Sequence, residues 1–204
     1  EEYNDLIKAI NGAKKKRFFS QSDVRELIIK VFVWGGMTRT HNSGKLAMET
    51  INSYEDICRD LLDGLDPASA YERFYMVHNV GEMKGVGPAY YTKLICFLGD
   101  QSGVIMDQWT ARSINVLFVS DIIRLNKSGK SFTVNKKNTS HVYSSFLSCI
   151  RKLQIELKLE SALETEELIF SCSDMKKPKP ITLEHHKILS AWRRYVKTKE
   201  TINI

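Results

Sequence analysis

Apolar residues recur every three to four positions along most of this chain, and that period predicts α-helices. Alternating apolar and polar residues, the pattern typical of strands, are nearly absent. Between residues 126 and 140 the chain is rich in Lys, Ser, Asn and Thr, and we expect a mobile basic loop with one short strand at residues 132–134. The pattern predicts an all-α fold whose helices cover about residues 3–11, 23–34, 45–51, 54–62, 68–80, 88–98, 108–119, 141–157, 160–170 and 183–197.

Several helix starts carry local signals. Ser20 or Ser22 is expected to cap the second helix, which ends at Gly35 and Gly36. Asn52-Ser53 is expected to cap one further helix, and Asp66-Pro67 to start another. These signals define the boundaries more sharply than periodicity does.

Residues 82–117 hold the most unusual chemistry. Gly85-Val86-Gly87 precedes Pro88, a residue favoured at the first position of a helix. A glycine turn that leads into a helix start leaves backbone N–H groups free for a phosphate oxygen. Lys93 is the single charged residue of the apolar helix that follows, and Asp107 ends an apolar run at the N-cap of the next helix.

These motifs resemble the helix-hairpin-helix DNA glycosylase superfamily. The words M-K-G-V-G-P-A-Y and I-M-D-Q-W-T-A-R, together with W-G-G-M at residues 34–37, are similar to the bacterial 8-oxoguanine-glycosylase-like proteins of that superfamily. The resemblance spans roughly residues 20–120. It implies a two-lobed helical fold with a DNA cleft, in which residues 22–120 form one lobe and residues 1–21 plus 121–204 form the other.

The resemblance implies that Asp107 is the catalytic carboxylate. A carboxylate near C1′ stabilises an oxocarbenium-like sugar and can activate water. Its alternative role is an ordinary N-cap, and the two roles are compatible. Family members that also cut the strand use a lysine where this chain has Ala89. Lys93 lies one turn further on and is the candidate nucleophile, with a lysine that extends toward solvent or phosphate as the alternative.

Further residues are candidates for DNA contact and base binding. The hairpin residues Gly85, Val86 and Gly87 are expected against phosphate, with Arg112 nearby. Met37 and Arg39 are the candidates for a side chain that wedges the duplex, although Met37 could equally be buried beneath its loop. The expected pocket for a flipped base consists of Trp34, Tyr90, Tyr91 and Trp109, each of which could instead be core.

Charge supports an anionic partner. The net charge is +6, and no acidic residue occurs between Ile122 and Ile155, where Lys136 and Lys137 stand together with five other basic residues. Such lysines contact phosphate or simply form a solvated surface. The four cysteines lack metal-ligand spacing, so we expect no metal and no cofactor. No apolar run could span a membrane and no signal peptide is evident, so we expect a cytoplasmic monomer.

The sequence therefore predicts a DNA glycosylase that flips and excises a damaged or modified base from double-stranded DNA. Asp107 is expected to activate water in a monofunctional mechanism. The substrate is 8-oxoguanine or another modified base, including those of phage genomes, which would imply defence rather than repair. Two alternatives stay open: a bifunctional glycosylase and lyase that uses Lys93, and a helix-hairpin-helix DNA-binding module without catalysis.

Overall fold

A computed structural model describes residues 3–170, apart from residues 17, 39, 101 and 130, together with Arg194. The all-α prediction is confirmed. None of the described helices combines the length and apolarity needed to cross a lipid bilayer. Apart from Arg194, the predicted helix at residues 183–197 lies outside the described residues. The described helices are α1 (Tyr3–Lys14), α2 (Gln21–Trp34), α3 (Asn42–Glu49), α4 (Glu55–Leu62), α5 (Pro67–Asn79), α6 (Pro88–Leu98), α7 (Gln108–Leu117), α8 (Ser140–Leu157) and α9 (Ala162–Ile169), with a 3-10 turn at Ile51–Ser53.

Local capping explains where several helices begin. Ser20 caps α2 in a reciprocal capping box with Asp23, and the Asp66 carboxylate accepts hydrogen bonds from two backbone N–H groups of α5. Helix α6 begins at Pro88, as predicted. The expected cap of α4 is wrong: Tyr54 occupies its N-cap, while the Ser53 hydroxyl donates to the carbonyl of Glu82 at 2.9 Å.

The short strand expected at residues 132–134 is confirmed, whereas the loop expected before it is wrong, because residues 125–128 form a second strand. Strands β1 (Leu125–Ser128) and β2 (Ser131–Val134) form an antiparallel hairpin in which Leu125 pairs with Val134. Strand β2 packs against α6 and α7. The buried Asn138 side chain accepts from the N–H and donates to the carbonyl of Arg124, at 3.0 and 2.9 Å. Docking and these hydrogen bonds order a segment whose polar sequence predicts a loop.

Helices α5 and α6 form the central pair and are joined by the glycine hairpin. Helices α1, α2 and α4 pack against α6, and α8 packs against α5. Aromatic rings fill the space between them: Tyr71 stacks on Tyr143 with centroids 4.5 Å apart, and Phe74 stacks on Tyr91 at 5.5 Å. The space between α5, α6 and α8 is therefore filled by stacked aromatic rings.

The described buried hydrophobic residues form one continuous cluster that includes side chains of α1 and α9. Tyr3 of α1, Phe97 of α6 and Leu163 of α9 line one pocket. The division into two lobes stays a prediction.

Candidate active site

An extended segment, residues 104–107, connects α6 to α7 through the helical core, and its backbone bonds to side chains. The Tyr143 hydroxyl donates to the carbonyl of Val104 at 2.9 Å, and the Thr110 hydroxyl donates to that of Ile105 at 3.0 Å. The N–H of Met106 donates to the Thr92 hydroxyl at 3.1 Å, which itself donates to the Pro88 carbonyl at 2.7 Å. Because these side chains belong to α6, α7 and α8, the segment is held from three sides.

Asp107 is the last residue of this segment and the N-cap of α7, as predicted. Its Oδ1 accepts hydrogen bonds from the N–H of Trp109 at 2.7 Å and from that of Thr110 at 3.0 Å. Within the described part of the chain, Oδ2 accepts no hydrogen bond. The carboxylate is half-buried. One oxygen therefore fixes its orientation while the other is available to a substrate or a water.

The Lys93 amine interacts electrostatically with the Asp107 carboxylate. Nζ donates to the Ala89 carbonyl at 3.2 Å and lies 5.1 Å from the centre of the Tyr90 ring. Gly35 makes room for it, since a Cβ there would be 3.0 Å from the Lys93 Cδ. Burial lowers the pKa of Lys93, while the carboxylates of Asp107 and Glu166 oppose that shift.

Glu166 of α9 is a member of this site that the sequence analysis missed. Its side chain is 4% exposed. Burial raises its pKa well above the usual range, Asp107 and Glu167 raise it further, and Lys93 lowers it. A signal existed, because Glu166 lies on the apolar stripe of α9, three residues from both Leu163 and Ile169.

The two glycines of the hairpin have different surroundings. Gly85 has φ +73° and faces the N-terminal turn of α3 so closely that a Cβ would be 2.1 Å from the Ser43 carbonyl oxygen. Gly87 has φ −105°, and a Cβ there would meet nothing within 4 Å. In the described residues, the N–H groups of Gly85, Gly87 and Ala89 donate to no backbone carbonyl. The surface at Gly87 is therefore open, and packing does not require a glycine at this position.

The predicted DNA-contact side chains fall into two groups. Lys136 and Lys137 are exposed. By contrast, Val86 is 1% exposed and Met37 is 5% exposed, which for Met37 agrees with the alternative of a buried side chain beneath its loop. Arg39 lies outside the described residues.

Arg112 is 3% exposed, so its guanidinium does not reach the surface where DNA would contact it. The group lies between two rings, 4.7 Å from the centre of Trp109 and 4.2 Å from that of Phe132. Arg112 therefore joins strand β2 to helix α7 through stacking, a role that differs from the expected phosphate contact.

The residues predicted to form the base pocket also differ in their exposure. Tyr91 and Trp109 are buried, and Tyr91 stacks on Phe74, so a flipped base could stack on Tyr91 only by displacing core side chains. Trp34 and Tyr90 are half-buried and flank Gly35, whose carbonyl accepts a hydrogen bond from the Tyr90 hydroxyl at 3.4 Å. The structure brings Tyr90 and Lys93 together beside Gly35, whereas the Trp34 ring packs against Phe97 with centroids 4.7 Å apart.

The sequence that forms this site matches a known protein family. A family model described as "Putative 8-oxoguanine DNA glycosylase OGG-like protein" matches residues 8–170. No curated protein and no solved structure matches the chain. The matched range contains the hairpin, Lys93, Asp107 and Glu166.

Thr92→Val tests what holds Asp107 in place. The substitution keeps the shape of the side chain but leaves the buried N–H of Met106 without an acceptor, so the free energy of unfolding should fall by about 1–3 kcal/mol. Chemical denaturation measures it. Thr133→Val, at an exposed position of β2, is the matched control and should change stability by less than about 0.5 kcal/mol. Equal stability of both variants would contradict this role for Thr92.

Proposed function

The chain belongs to the OGG-like family, which is described as "Putative 8-oxoguanine DNA glycosylase OGG-like protein", and on this premise we propose that it excises a modified base by hydrolysis, with Asp107 activating the attacking water. The substrate class is 8-oxoguanine or another modified base, including the modified bases of phage genomes. The base is flipped out of the duplex before its N-glycosidic bond is cleaved.

This proposal rests on the hydrogen bonding of the Asp107 carboxylate. Oδ1 is held by two backbone N–H groups, whereas Oδ2 accepts no hydrogen bond from a described residue. A carboxylate with a fixed orientation and one available oxygen can accept a proton from water and stabilise positive charge at C1′. A helix-hairpin-helix module that only binds DNA has no use for that oxygen.

A lyase mechanism is the second candidate, and the Lys93 amine supports it. Its pKa is lowered by burial, which increases the share of neutral, nucleophilic amine. Nζ also lies 3.2 Å from the Ala89 carbonyl, so the side chain reaches back toward the position where strand-cutting relatives have their lysine. We favour hydrolysis because Lys93 shares its surroundings with two carboxylates, which stabilise the ammonium form.

The hairpin and the basic segment supply the proposed DNA contacts. Three N–H groups of the hairpin donate to no described carbonyl, and the surface at Gly87 is open, which suits a phosphate at the start of α6. The exposed Lys136 and Lys137 follow strand β2 and add positive charge without sequence preference. Trp34 and Tyr90 are the proposed stacking surfaces for the flipped base.

Asp107→Asn separates the two mechanisms. If Asp107 activates water, the variant should bind DNA normally while base release falls by a factor of about 10²–10⁴, measured in single-turnover assays on duplexes with different modified bases. The unmodified protein should leave an abasic site that breaks only after alkali.

Lys93→Ala is the companion variant. Under hydrolysis it should retain base release, whereas under the lyase mechanism it should lose both strand cleavage and covalent trapping by borohydride. Full activity of Asp107→Asn would refute the glycosylase mechanism proposed here.

Gly87→Asp tests the hairpin. The fold accommodates a side chain at this N-cap position of α6, where Asp can occupy the N–H groups proposed for phosphate and adds a charge that repels it, so binding to all duplexes alike should weaken by about tenfold or more. Fluorescence anisotropy measures the affinity. Gly87→Asn is the control of nearly equal volume without the charge and should lose less. Unchanged affinity of the Asp variant would show that the hairpin is not part of the DNA interface.

Replacement of both Lys136 and Lys137 by Ala tests the basic segment. Affinity should fall, and the slope of log K against log salt should flatten by about one unit for each lost phosphate contact. The matched control combines Lys8→Ala with Lys158→Asn, which removes the same charge at exposed sites and keeps a residue that tolerates the positive φ of position 158. Equal slopes for both double variants would show that Lys136 and Lys137 are solvated surface residues that do not contact phosphate.

A further inference from the structure

The glycine hairpin, residues 81–87, is held by side chains from another part of the chain. The N–H of Lys84 donates to the Thr50 hydroxyl at 3.1 Å. The Ser53 hydroxyl donates to the carbonyl of Glu82 at 2.9 Å. The corner between α3 and α4, which contains Thr50 and Ser53, therefore fixes the hairpin by its backbone.

This corner is anchored to elements other than the hairpin. The Thr50 hydroxyl donates its own proton to the Leu46 carbonyl of α3 at 2.9 Å, which leaves an oxygen lone pair for the N–H of Lys84. Glu55, which begins α4 and is 2% exposed, accepts a hydrogen bond of 2.8 Å from the Arg25 side chain of α2. The position of Thr50 is therefore set by α2, α3 and α4.

The contacts that fix the hairpin leave several of its donors unused. Met83 and Val86 are 2% and 1% exposed and join the hydrophobic core. In the described part of the chain, the N–H groups of Gly85, Gly87 and Ala89 donate to no backbone carbonyl. These donors are hence held in place before any ligand arrives, and such preorganisation lowers the entropic cost of binding.

Lys84 is the cation of this hairpin, since residues 81–87 contain no other. Its side chain is exposed, and it forms no ion pair with a described residue. Because its N–H is bonded to Thr50, the backbone from which the side chain extends is fixed next to the unused N–H of Gly85. An ammonium group beside oriented N–H donors is complementary to a phosphate.

We propose that Lys84 binds the same DNA phosphate as the hairpin N–H groups, and that Thr50 is the positioning residue that holds Lys84 in place. This proposal rests on the proposed glycosylase function. It adds a charged contact to the backbone contacts of the hairpin, and it explains why the hairpin is tied to the corner between α3 and α4.

The first measurement needs no DNA. Amide hydrogen exchange of Lys84, followed by NMR on the free protein, reports the hydrogen bond to Thr50. Thr50→Val keeps the shape of the side chain but removes the acceptor, so the Lys84 N–H should exchange about fivefold faster, the factor that corresponds to one net hydrogen bond. Thr50→Ser, which keeps the hydroxyl, should restore the slow exchange.

Lys84→Ala tests the charged contact. Binding of a fluorescein-labelled duplex without a modified base is measured by fluorescence anisotropy over a series of salt concentrations. The affinity should fall, and the slope of log K against log salt should flatten by about one unit, because one phosphate contact is lost. Lys8→Ala, which removes the same charge at an exposed site of α1, is the matched control and should leave the slope unchanged.

Thr50→Val and Thr50→Ser test the positioning role in the same assay. Thr50→Val should lower the affinity by about fivefold, because DNA must then order the hairpin, while the slope stays the same because no charge is lost. Thr50→Ser should restore the affinity. In the double variant with Lys84→Ala, the loss should be smaller than the product of the two single losses, because both changes act on one contact.

Two results would overturn the proposal. A salt slope of Lys84→Ala equal to that of the unmodified protein would exclude the charged contact. Unchanged affinity of Thr50→Val, together with faster exchange at Lys84, would exclude the positioning role. A threonine that served stability alone would lower the melting temperature without moving the affinity.

If Thr50→Val does not fold, Ser53→Ala removes the neighbouring bond to the Glu82 carbonyl and should lower the affinity at the same slope. Its matched control is Ser148→Ala, whose exposed hydroxyl donates to the Ser144 carbonyl within α8 at 2.9 Å. Equal affinities of these two variants would overturn the role of the corner. Because the duplex carries no modified base, these measurements decide the proposal even if the protein releases no base from any duplex, the result that would refute the proposed function.

Discussion

The candidate site depends on the satisfaction of backbone hydrogen bonds in one extended segment. An extended chain cannot bond its own N–H and carbonyl groups, and each buried group left unpaired costs about 1–3 kcal/mol. In residues 104–107 the partners are the hydroxyls of Thr92, Thr110 and Tyr143, one each from α6, α7 and α8. Asp107 therefore reaches its position only when these three helices have docked.

The charges of the site constrain it in a second way. Burial lowers the pKa of Lys93 and raises the pKa of Glu166, so it disfavours the charged form of both side chains. The carboxylate of Asp107 favours the ammonium form of Lys93.

The glycines along this surface differ in the structural reason for which a glycine is required. Gly85 is required by its positive φ and by contact with α3, and Gly35 leaves space for the stem of Lys93. Gly87 has neither reason, because its φ suits any residue and its surroundings are open. A glycine without a packing role, beside N–H groups that have no described carbonyl partner, is consistent with the close approach of a ligand.

The sequence alone determined the features that local interactions control. Helix periodicity, the caps at Ser20 and Asp66, the start of α6 at Pro88 and the N-cap at Asp107 all depend on residues within a few positions of one another. Tertiary structure decided the rest, because side chains from distant parts of the chain must meet. Docking ordered the β1 and β2 hairpin, buried Met37 and Arg112 in place of exposing them, and buried Glu166 of α9.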